Sequence, residues 1–467
     1  MKEFKLFING EWVNSTGKEK IMVENPATKE IIAVVPDGNV NDIDKAVDAC
    51  KDALKSWAAS PKKRAECLYR LADYFENHEE EIARVITMEL GAPVKMCRDW
   101  HVSSAKDETR YYADAAKNFI YEKKENEYIL RREPYGIVAG LTPWNCPLDQ
   151  ITLKILPALA AGNCVILKPS QMTPLTAICF AKGIEKAGFP KGVFNLITGR
   201  GSGIGNLLSE HPDIRMISFT GSTYVGKNVA KISLRDIKKC ILELGGKSAS
   251  IVLESANLEE AVNSILWDCF RNNGETSNAI TRMLIPENKK VEIEKIIIEK
   301  YKEYVVGDPT NPNTDIGPLI NEKSFYKVKW YIEKGLDEGA TMLCGEVPDN
   351  CDNGYYVKPV VFTNVVNSMT IAQEEIFGPV LSVITYKNID EAIEIANDSQ
   401  YGLCGGVFGE ELEAVEVARK METGSIHINN AYFPIGAPFG GYKQSGVGRE
   451  NSMETFKEYL EIKAISL

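Results

Sequence analysis

The stretch Phe270-Arg271-Asn272-Asn273-Gly274-Glu275-Thr276-Ser277-Asn278-Ala279-Ile280-Thr281-Arg282 decides how this chain is read. Gly274, followed by a more regular apolar pattern, predicts that residue 277 lies near the start of a helix. A helix start offers unpaired N–H groups and the positive end of the dipole, both of which stabilise an anionic nucleophile. The residue placed there is Ser277. Taken by itself, a serine at that point is a helix N-cap. As a nucleophile, its hydroxyl is a weak acid and needs a strong, well-placed base.

Working outward, 467 residues exceed one core and predict two or three closely associated domains. Hydrophobic residues at 44% and charged residues at 25% are ordinary for a globular protein. A net charge of −11 argues against a nucleic-acid partner. Met1-Lys2-Glu3-Phe4-Lys5 contains no apolar run, so no signal peptide is expected. No stretch is long and apolar enough to predict a membrane span. The 11 cysteines are scattered without a CxxC pair, which predicts reduced thiols and a cytoplasmic location. His78, His101, His211 and His427 show no ligand spacing, so no metal is expected.

Residues up to about 117 open with a hairpin signal, Asn9-Gly10 within Phe7–Val13, and continue in amphipathic helices over Val40–Ala59 and Pro61–His78. Tyr121–Arg132 is charged and alternating and reads as one strand leaving the main body. From Pro134 to Glu243 apolar runs (136–141, 164–167, 193–197, 216–219, 239–242) alternate with helical stretches (148–161, 174–187, 203–209, 225–232). That alternation predicts βαβ units and a parallel sheet, with ligands at the C-terminal strand ends. A second α/β region runs from about 244 to 429, and the chain closes in a strand, Tyr459–Leu467. The domains expected are therefore 1–117 with 135–243, then 244–429, with 118–134 and 430–467 as an extension and closing segment.

Six further motifs stand in order along this frame: Thr142-Pro143-Trp144-Asn145, Lys168-Pro169-Ser170-Gln171, Phe219-Thr220-Gly221-Ser222-Thr223-Tyr224-Val225-Gly226, Glu243-Leu244-Gly245-Gly246-Lys247, Glu374-Glu375-Ile376-Phe377-Gly378-Pro379 and Pro438–Glu450. With the opening stretch they resemble, over essentially the whole chain, the NAD(P)-dependent aldehyde dehydrogenase superfamily. That family writes the stretch F-x-N-x-G-Q-x-C-x-A-x-x-R. Here Ser277 stands at the cysteine and Glu275 at the glutamine.

The resemblance implies an α/β fold of two parallel-sheet domains with a small β oligomerisation extension, hence a homodimer or homotetramer. It implies NAD or NADP as cofactor and a small-molecule aldehyde as substrate. Asn145 would supply the oxyanion hole, where a donor contributes several kcal/mol; on residue type alone it caps the next helix. Glu243 would be the general base, activating water from a partly dry site; the plain alternative is a salt-bridged surface residue. Its presence favours release of a free acid, since CoA-acylating relatives generally lack it. Lys154 would order the oxyanion loop or the cofactor.

For the cofactor, the resemblance implies Thr142, Pro143 and Trp144 beside it, Lys168 and Ser170 at the adenosine ribose, and Gln171 where the family has a glutamate. A neutral Gln171 removes a repulsion against a 2′-phosphate. Phe219, Thr220, Gly221, Ser222 and Val225 would serve the pyrophosphate and adenine at a helix start. Gly201 belongs to a glycine-rich stretch, 199–205, read as a flexible loop at the adenine end. Leu244 and Gly245 would approach the cofactor, Glu375 its nicotinamide ribose and Phe377 the nicotinamide. Cys146, Gln150, Phe433 and Phe439 would line a substrate tunnel, as would Leu153.

The expected activity is oxidation of an aldehyde to a carboxylic acid through a thiohemiacetal and thioester. With Ser277 the intermediates become a hemiacetal and an ordinary ester, so the chain as written is expected to have little or no dehydrogenase activity. A Cys→Ser replacement made to trap a complex explains this; a naturally degenerate member is the alternative. Two other readings are a non-catalytic NAD(P)-binding member and a slow Ser-dependent esterase.

Overall fold

In a computed structural model, described for residues 2–467, two parallel sheets face each other across a cleft. The first sheet has eight strands. Its centre is five parallel strands in the order Lys239–Glu243, Met216–Thr220, Ile137–Leu141, Cys164–Lys168, Phe194–Leu196. These strands are almost wholly buried, which is why they read as continuous apolar runs rather than as alternating ones. Connections first step outward from Ile137–Leu141 and then return to its other side at Met216–Thr220. The topological switch therefore lies between these two strands, and a crevice opens at their C-terminal ends. The loops that leave those ends carry Thr142–Asn145 and Gly221–Ser222.

Antiparallel additions complete this sheet. Leu6–Ile8 and Glu11–Val13 form a hairpin over Asn9 and Gly10, both with positive φ, as a two-residue primed turn requires. At the other edge Gly446–Val447 pairs with Lys239–Glu243, so the last part of the chain returns to the first domain. Phe456, Tyr459 and Leu460 enter its core beside Val138, Ile166 and Phe180.

The second sheet has seven strands, in the order Thr341–Cys344, Val360–Thr363, Val380–Tyr386, Ile280–Pro286, Ser248–Val252, Cys404–Phe408, Ser425–Ile428. Only Thr341–Cys344 runs antiparallel. Along Ile280–Pro286 the side chains alternate between two cores: Leu284 packs with Phe325, Val328 and Phe362, whereas Met283 and Ile285 pack with Ile265, Leu266 and Phe270. Both faces are apolar and covered by helices.

Three expectations change. Ser277 is not at a helix start. Helix Leu258–Phe270 ends in a 3₁₀ turn at Arg271–Gly274, and the next element is the strand Ile280–Pro286. A strand buried on both faces has no period, so its apolar pattern does not separate it from a helix. Tyr121–Arg132 forms two strands, Glu122–Lys124 and Tyr128–Pro134, joined by a turn. Glu122–Lys124 is exposed throughout and Tyr128–Pro134 is at most half-buried, so no fully buried face imposes a pattern. A three-stranded sheet of Lys2–Glu3, Ile31–Pro36 and Lys20–Glu24 also forms near the start, beyond the short extended region expected there.

The strand Leu460–Ser466 pairs antiparallel with Tyr128–Pro134 and forms one edge of the small outer sheet. Among the described residues, no helix is long and apolar enough to cross a membrane.

Candidate active site

Ser277 is held where the two domains meet. Asn272, Asn273 and Gly274 all adopt positive φ (53°, 63° and 72°), which folds the chain back into a tight loop. Asparagine and glycine are the residues that tolerate this conformation. A Cβ at Gly246 would lie 2.3 Å from the carbonyl oxygen of Ser277, so the Glu243–Lys247 loop and the Ser277 loop pack backbone to backbone only because that residue is glycine. The same holds for Gly274 against the Gly378–Pro379 peptide.

Glu243 ends its strand at the crevice, and Ser277 Oγ donates to its Oε1 at 3.0 Å. Glu243 is 1% exposed, and its Oε2 has no hydrogen-bond partner. Burial, and then the charge of Glu450, push its carboxyl up to about 8. The base is therefore mostly protonated at neutral pH.

Asn145 is buried on the loop after Ile137–Leu141. It does not cap the next helix, whose N-cap is Cys146 with Pro147 at the first turn. Its backbone carbonyl accepts from Asn272 Nδ2 at 2.8 Å, while its own amide meets only Cys146 Sγ, at 3.8 Å. The Asn145 loop is thus tied to the Ser277 loop, and its side-chain N–H groups keep their capacity to donate. Lys154 sits behind the site, and its charge acts on Glu243. Fully buried, its ammonium pairs with Glu450 Oε1 at 2.8 Å and donates to Gln150 Oε1 at 2.9 Å.

At the crevice, the Lys168 ammonium is buried with one partner, the carbonyl of Gly199 at 3.1 Å. Burial lowers it to about 8. Ser170 Oγ accepts from the Met172 N–H at 3.2 Å, and Gln171 is half-buried beside it. Ser222 caps helix Thr223–Ser233 by accepting from the Val225 N–H at 3.3 Å, leaving Val225 itself exposed. Gly221 lies against the Phe219 ring, and Thr220 ends the strand beside it. The stretch from Gly201 is no irregular loop: it winds into a π-helical turn, Gly201–Gly205, and then helix Asn206–Glu210.

Across the cleft, Glu375 Oε1 accepts from the Gly246 N–H at 3.0 Å. A Cβ on Gly245 would meet the Glu375 carboxylate at 2.8 Å. The Phe377 ring, on a backbone with φ 62°, stands edge-on to Trp144 at 5.4 Å. Pro143 is half-buried in the same loop, and the buried Thr142 hydroxyl has no partner. Leu244 fills the space that a side chain at Gly226 would need. This crevice suits a dinucleotide. It has a glycine-lined approach, a helix start, an unneutralised lysine and an orphaned hydroxyl.

On the other side of Ser277 lies a cavity of about 450 Å³. Ser277, Asn145, Cys146, Gln150, Leu153, Phe433 and Phe439 all line it. Phe433 and Phe439 meet edge-on at 6.1 Å. Its wall also holds residues that the sequence did not single out, above all Trp100, Glu108, Asp149 and Arg271. Asp268 and Arg271, three apart on one helix end, carried a pairing signal and form a 2.8 Å ion pair. Trp100 and Glu108 come from distant helices and carried none.

A sequence model described as the aldehyde dehydrogenase family matches residues 12–465. A putative aldehyde dehydrogenase of Staphylococcus haemolyticus is 44% identical over 464 residues, covering 98% of each chain. A solved mutant of aldehyde dehydrogenase C from Pseudomonas syringae, complexed with NAD+ and octanal, has a TM-score of 0.97 at 42% identity, over 99% of this chain and 96% of that one. The NAD+ complex of a Mycobacterium tuberculosis aldehyde dehydrogenase has a TM-score of 0.96 at 37% identity, over 100% and 98%. The chain belongs to the aldehyde dehydrogenase family.

Proposed function

We propose that this chain is built for NAD(P)+-dependent oxidation of an aldehyde to a carboxylic acid, and that Ser277 disables its first covalent step. The observation that carries this reading is the 3.0 Å contact from Ser277 to Glu243, at the meeting of a dinucleotide-shaped crevice and an apolar tunnel. Related structures bound to NAD+ support the cofactor.

In the cysteine form, residue 277 attacks the carbonyl carbon, and the Asn145 amide steadies the resulting alkoxide. Lys168, Ser222 and Glu375 would hold the dinucleotide in the crevice, where its nicotinamide would supply the hydride acceptor. Glu243 removes a proton from the water that cleaves the thioester. In the serine form two handicaps combine. A hydroxyl is harder to ionise than a thiol. The base that would ionise it is mostly protonated near neutral pH. Asn145, Glu243, Lys168 and Glu375 are all retained, which favours a Cys→Ser replacement over gradual decay.

A second reading rests on the same contact. Ser277 and Glu243 form a nucleophile–base pair that needs no cofactor to cleave an ester. The Oγ–carbon bond forms as Glu243 takes the proton, and the alcohol then leaves with it. Water deprotonated by Glu243 releases the acid and regenerates the serine. This activity is expected to be slow. Copies of the chain associate as a homodimer or homotetramer in this proposal, because the strand Leu460–Ser466 leaves an open backbone edge. Its eleven free cysteines suit a reducing cytoplasm.

The test compares the parent with Ser277→Cys, following reduced nicotinamide across a panel of aldehydes with both cofactors. Turnover by the variant alone supports the dehydrogenase reading. Failure of both, although both bind cofactor, leaves a dinucleotide-binding protein. Cofactor-independent ester cleavage by the parent, lost in Glu243→Gln, supports the second reading.

A further inference from the structure

Behind the loop that carries Ser277 sits a fully buried histidine, His101. It lies in a π-helical stretch, Cys97–Val102, that leads into helix Ser103–Asn118. Such stretches break the ordinary helical ladder and occur often at functional sites. Its Nε2 lies 3.2 Å from Asn272 Oδ1, across 171 positions of chain.

Asn272 is the first of the three positive-φ residues that fold the Ser277 loop back, and it too is fully buried. Its Nδ2 donates to the Asn145 carbonyl at 2.8 Å and lies 3.4 Å from the Glu275 carbonyl. Both partners are acceptors, so the amide NH₂ must face them and Oδ1 must face His101. The ring proton therefore sits on Nε2, and His101 donates. Met96, just before the π-helical stretch, accepts from the Asn272 backbone N–H through its Sδ at 3.0 Å. The same segment thus holds Asn272 by its backbone and by its side chain.

A packing role alone does not account for this ring. His101 Nδ1 is buried without a partner. An apolar side chain of similar volume would avoid that cost, so what the imidazole adds here is its one donor. Burial holds the ring down to about 4, and the nearby Arg271 charge works in the same direction. The ring is therefore neutral at neutral pH, and Nδ1 stays bare. A reversed Asn272 amide would set its NH₂ against the Nε2–H and its Oδ1 against the Asn145 carbonyl. Two repulsive contacts would then replace two hydrogen bonds. His101 thus fixes the sense of the amide that ties the Asn145 loop to the Ser277 loop.

We propose that His101 is a positioning residue for the oxyanion hole, holding Asn145 in register with residue 277 through Asn272. This rests on the dehydrogenase reading and adds to it a residue that acts only through others. An oxyanion donor is worth about 10²–10³ in kcat, and a misplacement of about 1 Å forfeits on the order of 10².

The test is made in Ser277→Cys with a panel of aldehydes and saturating NAD+. His101→Leu should lower kcat about tenfold to hundredfold, with little change in KM for NAD+. His101→Gln, whose side-chain amide keeps a donor, should recover most of that loss. In the Asn145→Ala background His101→Leu should cost nothing further, because the group it positions is gone. Unchanged kcat in His101→Leu, equal losses in the leucine and glutamine variants, or losses that multiply with Asn145→Ala overturn the proposal. Circular dichroism melts separate these outcomes from unfolding, and His101→Met takes the place of His101→Leu if that variant does not fold. Should Ser277→Cys oxidise no aldehyde, the dehydrogenase reading fails, and a crystal structure of the parent chain carrying His101→Leu decides this one. Loss of the Asn272–Asn145 hydrogen bond there supports the tie; a bond left in place overturns it.

Discussion

Replacing Glu275 by glutamine should stabilise this protein by an amount that grows with pH. Glu275 is completely buried behind the Ser277 loop. Its Oε1 accepts from the Ile320 N–H at 3.0 Å, and its Oε2 has no partner. Burial holds the carboxyl well above the usual range, only partly offset by the backbone donor and by Lys327. An unfolded chain sheds this proton near pH 4.3. Above that pH the native state binds a proton that the unfolded state has lost, so stability falls as pH rises. The slope is about 1.4 kcal/mol per pH unit for as long as the native carboxyl stays protonated. Glutamine keeps the shape and the acceptor and does not titrate. Acid and amide alike leave a donor without a partner where Oε2 now lies, so the pH-independent terms largely cancel. The stability difference between variant and parent should therefore widen as pH rises above about 4.3, at a slope of at most about 1.4 kcal/mol per pH unit. Denaturant midpoints at fixed m-value measure it. A constant difference, or a variant less stable than the parent at the highest pH, would refute the view that the fold carries Glu275 as a neutral acid.

Three other expectations concern the site. In the Ser277→Cys background, Asn145→Ala should lower kcat by about 10²–10³ with little change in cofactor affinity; unchanged kcat with a raised KM would mean that Asn145 serves binding alone. In that background the rate of acid release should rise with pH through about 8, as Glu243 loses its proton, and Glu243→Gln should abolish that limb. Gly246→Ala places a methyl group 2.3 Å from the Ser277 carbonyl oxygen, and should cost about 1–3 kcal/mol of stability while displacing residue 277; circular dichroism melts and ester cleavage report the two effects.

The central strands and helices of the first domain were legible because each is a local pattern closed by its own punctuation. Asn9-Gly10 dictates a primed hairpin turn, and Pro147 and Pro174 start helices at their first turns. The stretch around Ser277 was misread for a physical reason. Ile280–Pro286 is covered on both faces, so its composition carries no period. Tyr121–Arg132 failed in the opposite way, since strands with no fully buried position carry no buried stripe.

By itself, the sequence determined which residues can perform the chemistry. Ser277, Glu243 and Asn145 stand in ordered motifs, and the alternation of strands and helices orders the elements that carry them. Tertiary structure alone decided how these groups act on one another. Lys154 meets Glu450 across 296 positions, an ion pair made only when the closing segment returns to the first domain. Glu108 reaches the tunnel because one helix packs on another. Glu243 holds its proton because the folded protein removes water around it. Side-chain identity is a local property, whereas burial, distance and the field at a carboxyl depend on every chain segment that surrounds it.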